Sequence, residues 1–362
     1  MQYVTADYEI IEGIKEETDV YKHLESVART CYQSFDYTKE DSYKRLLTML
    51  LKHGHEAMIE HVNFILKLSD PLFDRLKLTL SGKDHFLRFT HMESGPLVSG
   101  NPRAFRDLYR RVFGIGDLGK SFDCSTEHED EIKQITMALV FMLNSHYSLL
   151  FQDLVNDNKD LNHYEKISKE IPEKFSKGIQ LILNTQSLSP KEKIVHHYVS
   201  IRFKNVPRGF THEIVRMRGA RQMWDEDYTN DDFLRYISFG QESTRYCDYT
   251  KQKFGNGLKV VQTPVELTKK QEKLFKKAYK CAEKYYAELR EIGVKAQIAR
   301  DVLPIGVKSE IVVTTNLEEW YHILKLRTHP TSHPIMHIVM RPLLIDFQER
   351  FPDIFADLEN YS

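Results

Sequence analysis

IVHHYVSIRF, Ile194–Phe203, carries the β-branched and aromatic side chains that fit a pleated, half-buried surface, and its composition predicts a strand. Pro207-Arg208-Gly209 turns the chain into a helix on which His212 and Glu213 precede Arg216 by four and three residues, so the three share a face. Arg216 and Arg218 are two apart: they diverge if the helix continues and converge only on extended backbone. Outward from this run, strands are predicted at Val62–Leu68, Asp84–Thr90, Leu258–Gln262 and Ser309–Thr314. Helical spacing of apolar residues alternates with them, over Asp19–Phe35 and over Tyr43–Leu51, where Gly54 stops the helix. Asn101, followed by Pro102, caps another helix. Strands mixed with long amphipathic helices make an α+β chain.

From 114 to 193 the composition shifts. Thr126-x-x-Glu129 forms a capping box, and Ile132, Ile135, Leu139, Leu143, Leu150 and Leu154 predict one long helix. A second helical segment, interrupted by Pro172, reaches Leu183, and the whole reads as a helical insertion without a chemical constellation. Later, Leu274, Ala278, Cys281, Tyr285, Leu289 and Ile292 mark a long helix closed by Gly293. Its seven-residue rhythm fits either a core stripe or a subunit interface. Asn316 caps a helix carrying Trp320, His322 and Arg327; three turns separate Asn316 from Arg327, so both project alike while His322 is rotated away.

With 51 basic against 52 acidic side chains in 362 residues, the chain offers no continuous basic track for a nucleic-acid backbone. No apolar run approaches the roughly 20 residues that span a bilayer, and the first residues are acidic, so the expectation is a cytoplasmic protein away from membranes. Cys31, Cys124, Cys247 and Cys281 form no C-x-x-C. His53, His55, Glu56, Glu60 and His61 crowd a helix-to-strand turn, but their spacing matches no standard ligand pattern and no metal is expected.

Against this neutral background, Phe210–Thr250 concentrates Arg216, Arg218, Arg221, Arg235 and Arg245 among hydroxyl, amide and aromatic groups. A single arginine ordinarily belongs to a solvated salt bridge. A cluster in a neutral chain, ending in Gln241-Glu242-Ser243-Thr244-Arg245-Tyr246, points to a small anionic ligand, because guanidinium forks match phosphate and carboxylate geometry.

Five motifs in order carry a resemblance: Gly54-His55-Glu56 with Glu60-His61; His212-Glu213-Ile214-Val215-Arg216-x-Arg218; Ser238–Tyr246; Ala299-Arg300-x-Val302-Leu303-Pro304; and Thr315-Asn316-Leu317-x-x-Trp320-x-His322-x-x-x-Leu326-Arg327. Together they resemble the flavin-dependent thymidylate synthases. The resemblance implies a central, mainly antiparallel sheet flanked by long helices in a catalytic domain of residues 1–113 and 194–362, interrupted by the helical insertion 114–193. It also implies a homotetramer with FAD sites at subunit junctions, NADPH as reductant, 5,10-methylenetetrahydrofolate as carbon donor and methylation of dUMP at C5. Carried over by motif, His55, Arg216, Arg218, Asn316 and His322 would contact FAD. Glu213, Arg216, Gln241, Glu242, Ser243, Arg245 and Arg300 would hold the nucleotide, and Arg327 would sit at the pyrimidine edge as the catalytic group, favouring the N3-deprotonated ring.

Two positions depart from the pattern. Met217 stands where the family has a histidine, and the motif serine is displaced to Ser238 by an extra segment, about 219–237. These departures keep two alternatives in view: C5 chemistry on another pyrimidine nucleotide (UMP or dCMP), or a nucleotide-binding homologue without turnover. Met217 is read as apolar packing, and Met217→His is expected to be tolerated.

Overall fold

The computed structural model describes residues 1–11, 16–80, 86–115, 129–156, 175, 177–217, 237–255 and 257–361. Arg218, Arg221, Arg235, Thr126 and nearly all of the extra segment lie outside them.

The organising strand is β10, Lys308–Asn316, in which all nine residues are buried. A strand covered on both faces needs apolar side chains on both, and Ile311, Val312 and Val313 supply them consecutively. β10 pairs antiparallel with β7, Tyr198–Pro207, on one side and with β8, Ser238–Gln241, on the other; β2, Asp7–Ile11, extends β7 outward. A bulge between Ser309 and Ile311 shifts the register against β7.

On one face of this sheet lie α11, Leu317–Arg327, and α12, Pro334–Arg350, contributing Trp320, Leu324, Met340 and Phe347 to a core shared with Val199, Ile201 and Phe203. Trp320 also donates its indole N–H to the Val199 carbonyl at 2.9 Å. Helix α1, Glu17–Tyr32, packs against β8 and β10.

A second antiparallel sheet has the order β4 (Arg88–Met92), β5 (Gly95–Gly100), β3 (Phe64–Leu68), β6 (Ile179–Ile182). Its core joins α1 and α2 (Ser42–Lys52) with α4 (Pro102–Val112), α5 (Glu129–His146) and α6 (Ser148–Asn156). A small parallel pair, β1 (Gln2–Val4) with β9 (Lys259–Val261), lies beside the long helix α9, Lys269–Glu291. The fold is therefore α+β, with antiparallel sheets and many helices.

Three expectations change. Ile179–Ile182, predicted helical, is a strand: it pairs with Phe64–Leu68 along the edge of the second sheet. The described part of 114–193 consequently shares one core with the N-terminal residues, through Ile132, Leu139, Phe151 and Ile179. The single long helix is two, divided at Tyr147, whose ring stacks on Phe64 at 4.4 Å. Finally, Ile194–His196 closes a short helix, Pro190–His196, started by a capping box between Ser189 and Glu192, and the strand begins only at Tyr198.

Met217 is 7 % exposed and packs in the core of the central sheet with Phe210 and Ile214. The apolar reading of Met217 holds, but tolerance of histidine does not follow. An imidazole there would be desolvated, so Met217→His is expected to lower stability by about 1–3 kcal/mol, read as a fall in the urea midpoint. The stripe on α9 behaves differently again: Leu274, Tyr285 and Ile292 are 60 %, 53 % and 77 % exposed, so it is not a core stripe within this chain.

Candidate functional site

Helix α8, Arg208–Ile214, and the end of α11 bring one group together. Arg327 holds Glu213 twice, through Nη1 to Oε2 at 3.3 Å and through Nη2 to the main-chain carbonyl at 2.8 Å. Its Nε is buried and has no hydrogen-bond partner among the described residues. Burial depresses the Arg327 pKa; Glu213 opposes this and the nearby Arg216 adds to it. Arg216 itself is exposed, past the end of the helix, with no ion pair among the described residues. His322, half-buried on the same helix as Arg327, is held below its ordinary pKa by burial and then by Arg327 and Lys325. The predicted helical face of His212, Glu213 and Arg216 is cut short because the helix stops at Ile214, yet Glu213 and Arg216 both lie near Arg327.

A second group forms where the chain leaves β8. Ser243 donates its N–H to the Cys31 carbonyl, and its own carbonyl accepts from the N–H groups of Tyr246 and Cys247, which closes a tight turn. Arg245 and Tyr246 stand exposed on that turn, the guanidinium carbon 5.4 Å from the tyrosine ring centre, and Tyr246 packs against Tyr32. Arg300, from the turn after α10 (Ala296–Ala299), donates to Thr244 Oγ1 at 3.1 Å. Residues 243–245 and Arg300 are therefore neighbours, as the motifs require.

The two groups are linked. Gln241 donates to Thr211 Oγ1 at 2.8 Å, and Arg208 Nη2 donates to the Glu242 carbonyl at 3.0 Å, so α8 bridges them.

Other assignments by motif meet the structure unevenly. His55 is exposed at the start of the turn 56–61, and its ring makes no hydrogen bond among the described residues. Asn316 is fully buried and spent on the fold: its oxygen accepts from Glu319 N–H at 3.0 Å and its nitrogen donates to the Val195 carbonyl at 3.0 Å. Glu242, placed by motif on the nucleotide, points inward at 2 % exposure and pairs with Lys308 Nζ at 3.0 Å. Of the turn 53–61, His61 is buried with Nδ1 at 2.7 Å from Thr314 Oγ1, and Glu56 is bound by Arg106 and Arg110. Sequence reasoning missed Arg208, Thr211 and Lys308. For Lys308 a signal existed: Lys308 and Glu310 are two charges at alternate positions of an otherwise uncharged strand.

The family model for thymidylate synthase complementing protein matches residues 142–353. A flavin-dependent thymidylate synthase of Geobacter sulfurreducens is 29 % identical over 142 residues, 39 % of this chain and 52 % of that protein. One from Sulfolobus acidocaldarius is 43 % identical over 93 residues, 26 % of this chain and 36 % of the relative. The matched region thus spans about half, or less, of these relatives' length. Among solved structures, Helicobacter pylori thymidylate synthase X with FAD and dUMP is 17 % identical, covering 46 % of this chain and 76 % of that one at a TM-score of 0.33. A UMP/dUMP methylase from Streptomyces cacaoi bound with 5-Br UMP is 18 % identical, covering 47 % and 79 % at 0.34. Likeness of that size decides neither fold nor ligand. The family match, which covers more than half of the chain and includes both arginine groups, does decide: this chain belongs to the thymidylate synthase complementing protein family, the family of its flavin-dependent thymidylate synthase relatives.

Proposed function

We propose that the chain methylates dUMP at C5 to give dTMP, with FAD as cofactor, NADPH as reductant and 5,10-methylenetetrahydrofolate as carbon donor. One observation carries the reading: a half-buried arginine, Arg327, with a depressed pKa and a free Nε, beside the open cation Arg216. Such a pair calls for an anion, and it lies inside the family match.

The residues present fit FAD in part. Arg216 and His55 are open donors suited to its diphosphate; Asn316 is not, since its amide is committed at both ends. FAD, when bound, would supply the redox chemistry, with NADPH as reductant. The chain's own work is positional. Arg327, oriented by Glu213, stabilises negative charge developing on the pyrimidine. Ser243, Arg245 and Arg300 hold the phosphate and sugar on their turn. Neither Cys31 nor Cys247 is assigned to uracil: burial raises both thiols to about 12, the reverse of what a nucleophile needs.

The deciding experiment is an absorption spectrum of the purified protein followed by incubation with FAD, NADPH, methylenetetrahydrofolate and a panel of dUMP, UMP and dCMP. A flavin spectrum with product from dUMP is expected. Product from UMP or dCMP alone would shift the reading to another pyrimidine, as the Met217 departure allows. Nucleotide binding without NADPH oxidation would replace it by a homologue without turnover.

A homotetramer is part of the same proposal. It is supported by the exposed stripe Leu274, Tyr285 and Ile292. If one subunit supplies Arg245 and another Arg327, co-expressed Arg245→Ala and Arg327→Ala chains should rebuild about a quarter of the sites by random assembly, although each variant alone is inactive. A hybrid as inactive as its parents would show that both arginines serve from one chain.

A further inference from the structure

The buried Lys308–Glu242 pair has a place in the fold that bears on nucleotide binding, granted the reading above. Lys308 is 8 % exposed and meets three acceptors: Glu242 Oε2 at 3.0 Å, Glu310 Oε1 at 2.9 Å and Gln33 Oε1 at 3.3 Å. Glu310 is answered in turn by Arg202 at 2.7 Å, so two cations and two carboxylates form a neutral quartet. Tyr249 donates to the other oxygen of Glu242 at 3.1 Å. Glu242 is also where β8 ends: its N–H still reaches the Glu310 carbonyl at 2.8 Å, and the next residue opens the turn that carries Arg245.

We propose that Lys308 is a positioning residue for the anion-binding turn: by clamping Glu242 between β10 and Tyr249 it fixes where the turn leaves the sheet, and so where Ser243, Arg245 and the Arg300 partner Thr244 stand. A cavity of about 180 Å³ lined by Gln33, Glu242, Tyr249 and Lys308 lies against the pair. Without Lys308, Glu242 has somewhere wet to go, because an unpaired carboxylate moves toward water when it can. The turn then loses its inner anchor while β10 keeps its apolar faces.

The test compares wild type, Lys308→Met and Lys308→Arg in the full chain by hydrogen exchange of the 243–247 amides, and by titration with dUMP and separately with FAD. In Lys308→Met, exchange at Tyr246 and Cys247 should rise at least ten-fold, the dUMP Kd should rise by about the same factor, and the FAD Kd should stay within two-fold. Lys308→Arg should restore both dUMP affinity and protection. Unchanged exchange in Lys308→Met overturns the proposal, as does faster exchange with wild-type dUMP affinity, which would leave the pair purely structural. Should Lys308→Met not fold, Tyr249→Phe removes only the second bond to Glu242 and must show the same changes in smaller degree. If wild type itself binds no dUMP, the functional reading fails, and the exchange data alone judge the clamp.

Discussion

Arg327→Ala should lower dTMP formation roughly 10²–10³-fold while leaving the protein folded, since removing one preorganised donor from a site of developing charge costs about that much. The structure supplies the reasons for both halves. Arg327 stands at the C-terminal end of α11 with its guanidinium turned to Glu213 and its Nε unused. A cation held partly out of water favours the anionic form of whatever acid it meets, which is the role the reading gives it at the pyrimidine edge. The apolar side of α11, Trp320, Ile323 and Leu324, is untouched by the substitution. Glu213, 31 % exposed, can rehydrate once its partner is gone, so the stability change should stay within about 1 kcal/mol. Product formation under saturating cofactors and a urea midpoint give the two numbers. Arg327→Lys is the control: it keeps the charge and loses the fork, and should recover only part of the rate. Wild-type turnover in the alanine variant would remove Arg327 from the site. A collapsed urea midpoint would instead make it a structural pair with Glu213.

What was legible in the sequence is what short-range physics governs. Asn316 as a cap, Asn101 with Pro102, the buried stripe of α1 and the helix α9 itself each depend on residues within a few turns, and each is present. Each family motif keeps its spacing on one stretch for the same reason, but the pairings of Arg327 with Glu213 and of Arg300 with Thr244 join separate elements. Side-chain direction was not legible where the partner is distant. Glu242 reads as a ligand group beside Ser243, but Lys308, 66 residues away, turns it inward. His61 sits in a cluster that looks exposed, yet Thr314, 253 residues on, draws it into the core. Strand β6 escaped because four residues hold no period, and the Pro190–His196 helix escaped because β-branched residues on both sides of His197 look like one strand. Whether Arg245 and Arg327 serve one site from one chain or from two is what the hybrid experiment decides.

Acid should unfold this protein early, and the cause lies in its buried histidines, not in its carboxylates. His23, His61 and His196 are all buried, and burial lowers their pKa values from 6.5 to about 4, about 3 and about 3; His61 is pushed down further by His23, and His196 by Arg88. Their partners are neutral. Ser200 Oγ lies between His23 Nε2 and Thr314 Oγ1 at 3.1 and 2.7 Å, and His196 sits between Thr90 and Ser99 at 2.6 and 2.7 Å. The unfolded chain takes up a proton at each imidazole near pH 6.5, whereas the folded chain refuses all three until pH 3 to 4. The unfolded state therefore binds more protons in this window, and stability must fall as pH drops below about 6.5. At about 1.4 kcal/mol per proton per pH unit, three imidazoles give a limiting slope of about 4 kcal/mol per pH unit between roughly pH 6 and 4, enough to exhaust an ordinary domain stability within two to three units. Glu56 acts later. Though burial alone would raise it, Arg110 and Arg106 hold it at about 2, so its contribution is complete above about 4.5 and is lost as pH falls through 2. Urea unfolding at pH 7.5, 6.5 and 5.5 separates the two causes, because only the histidines titrate there. His61→Gln should reduce the slope by about one proton even though it lowers stability at pH 7.5. A free energy of unfolding that stays flat from pH 7.5 to 5.5 would mean that these imidazoles can take up protons without leaving the fold.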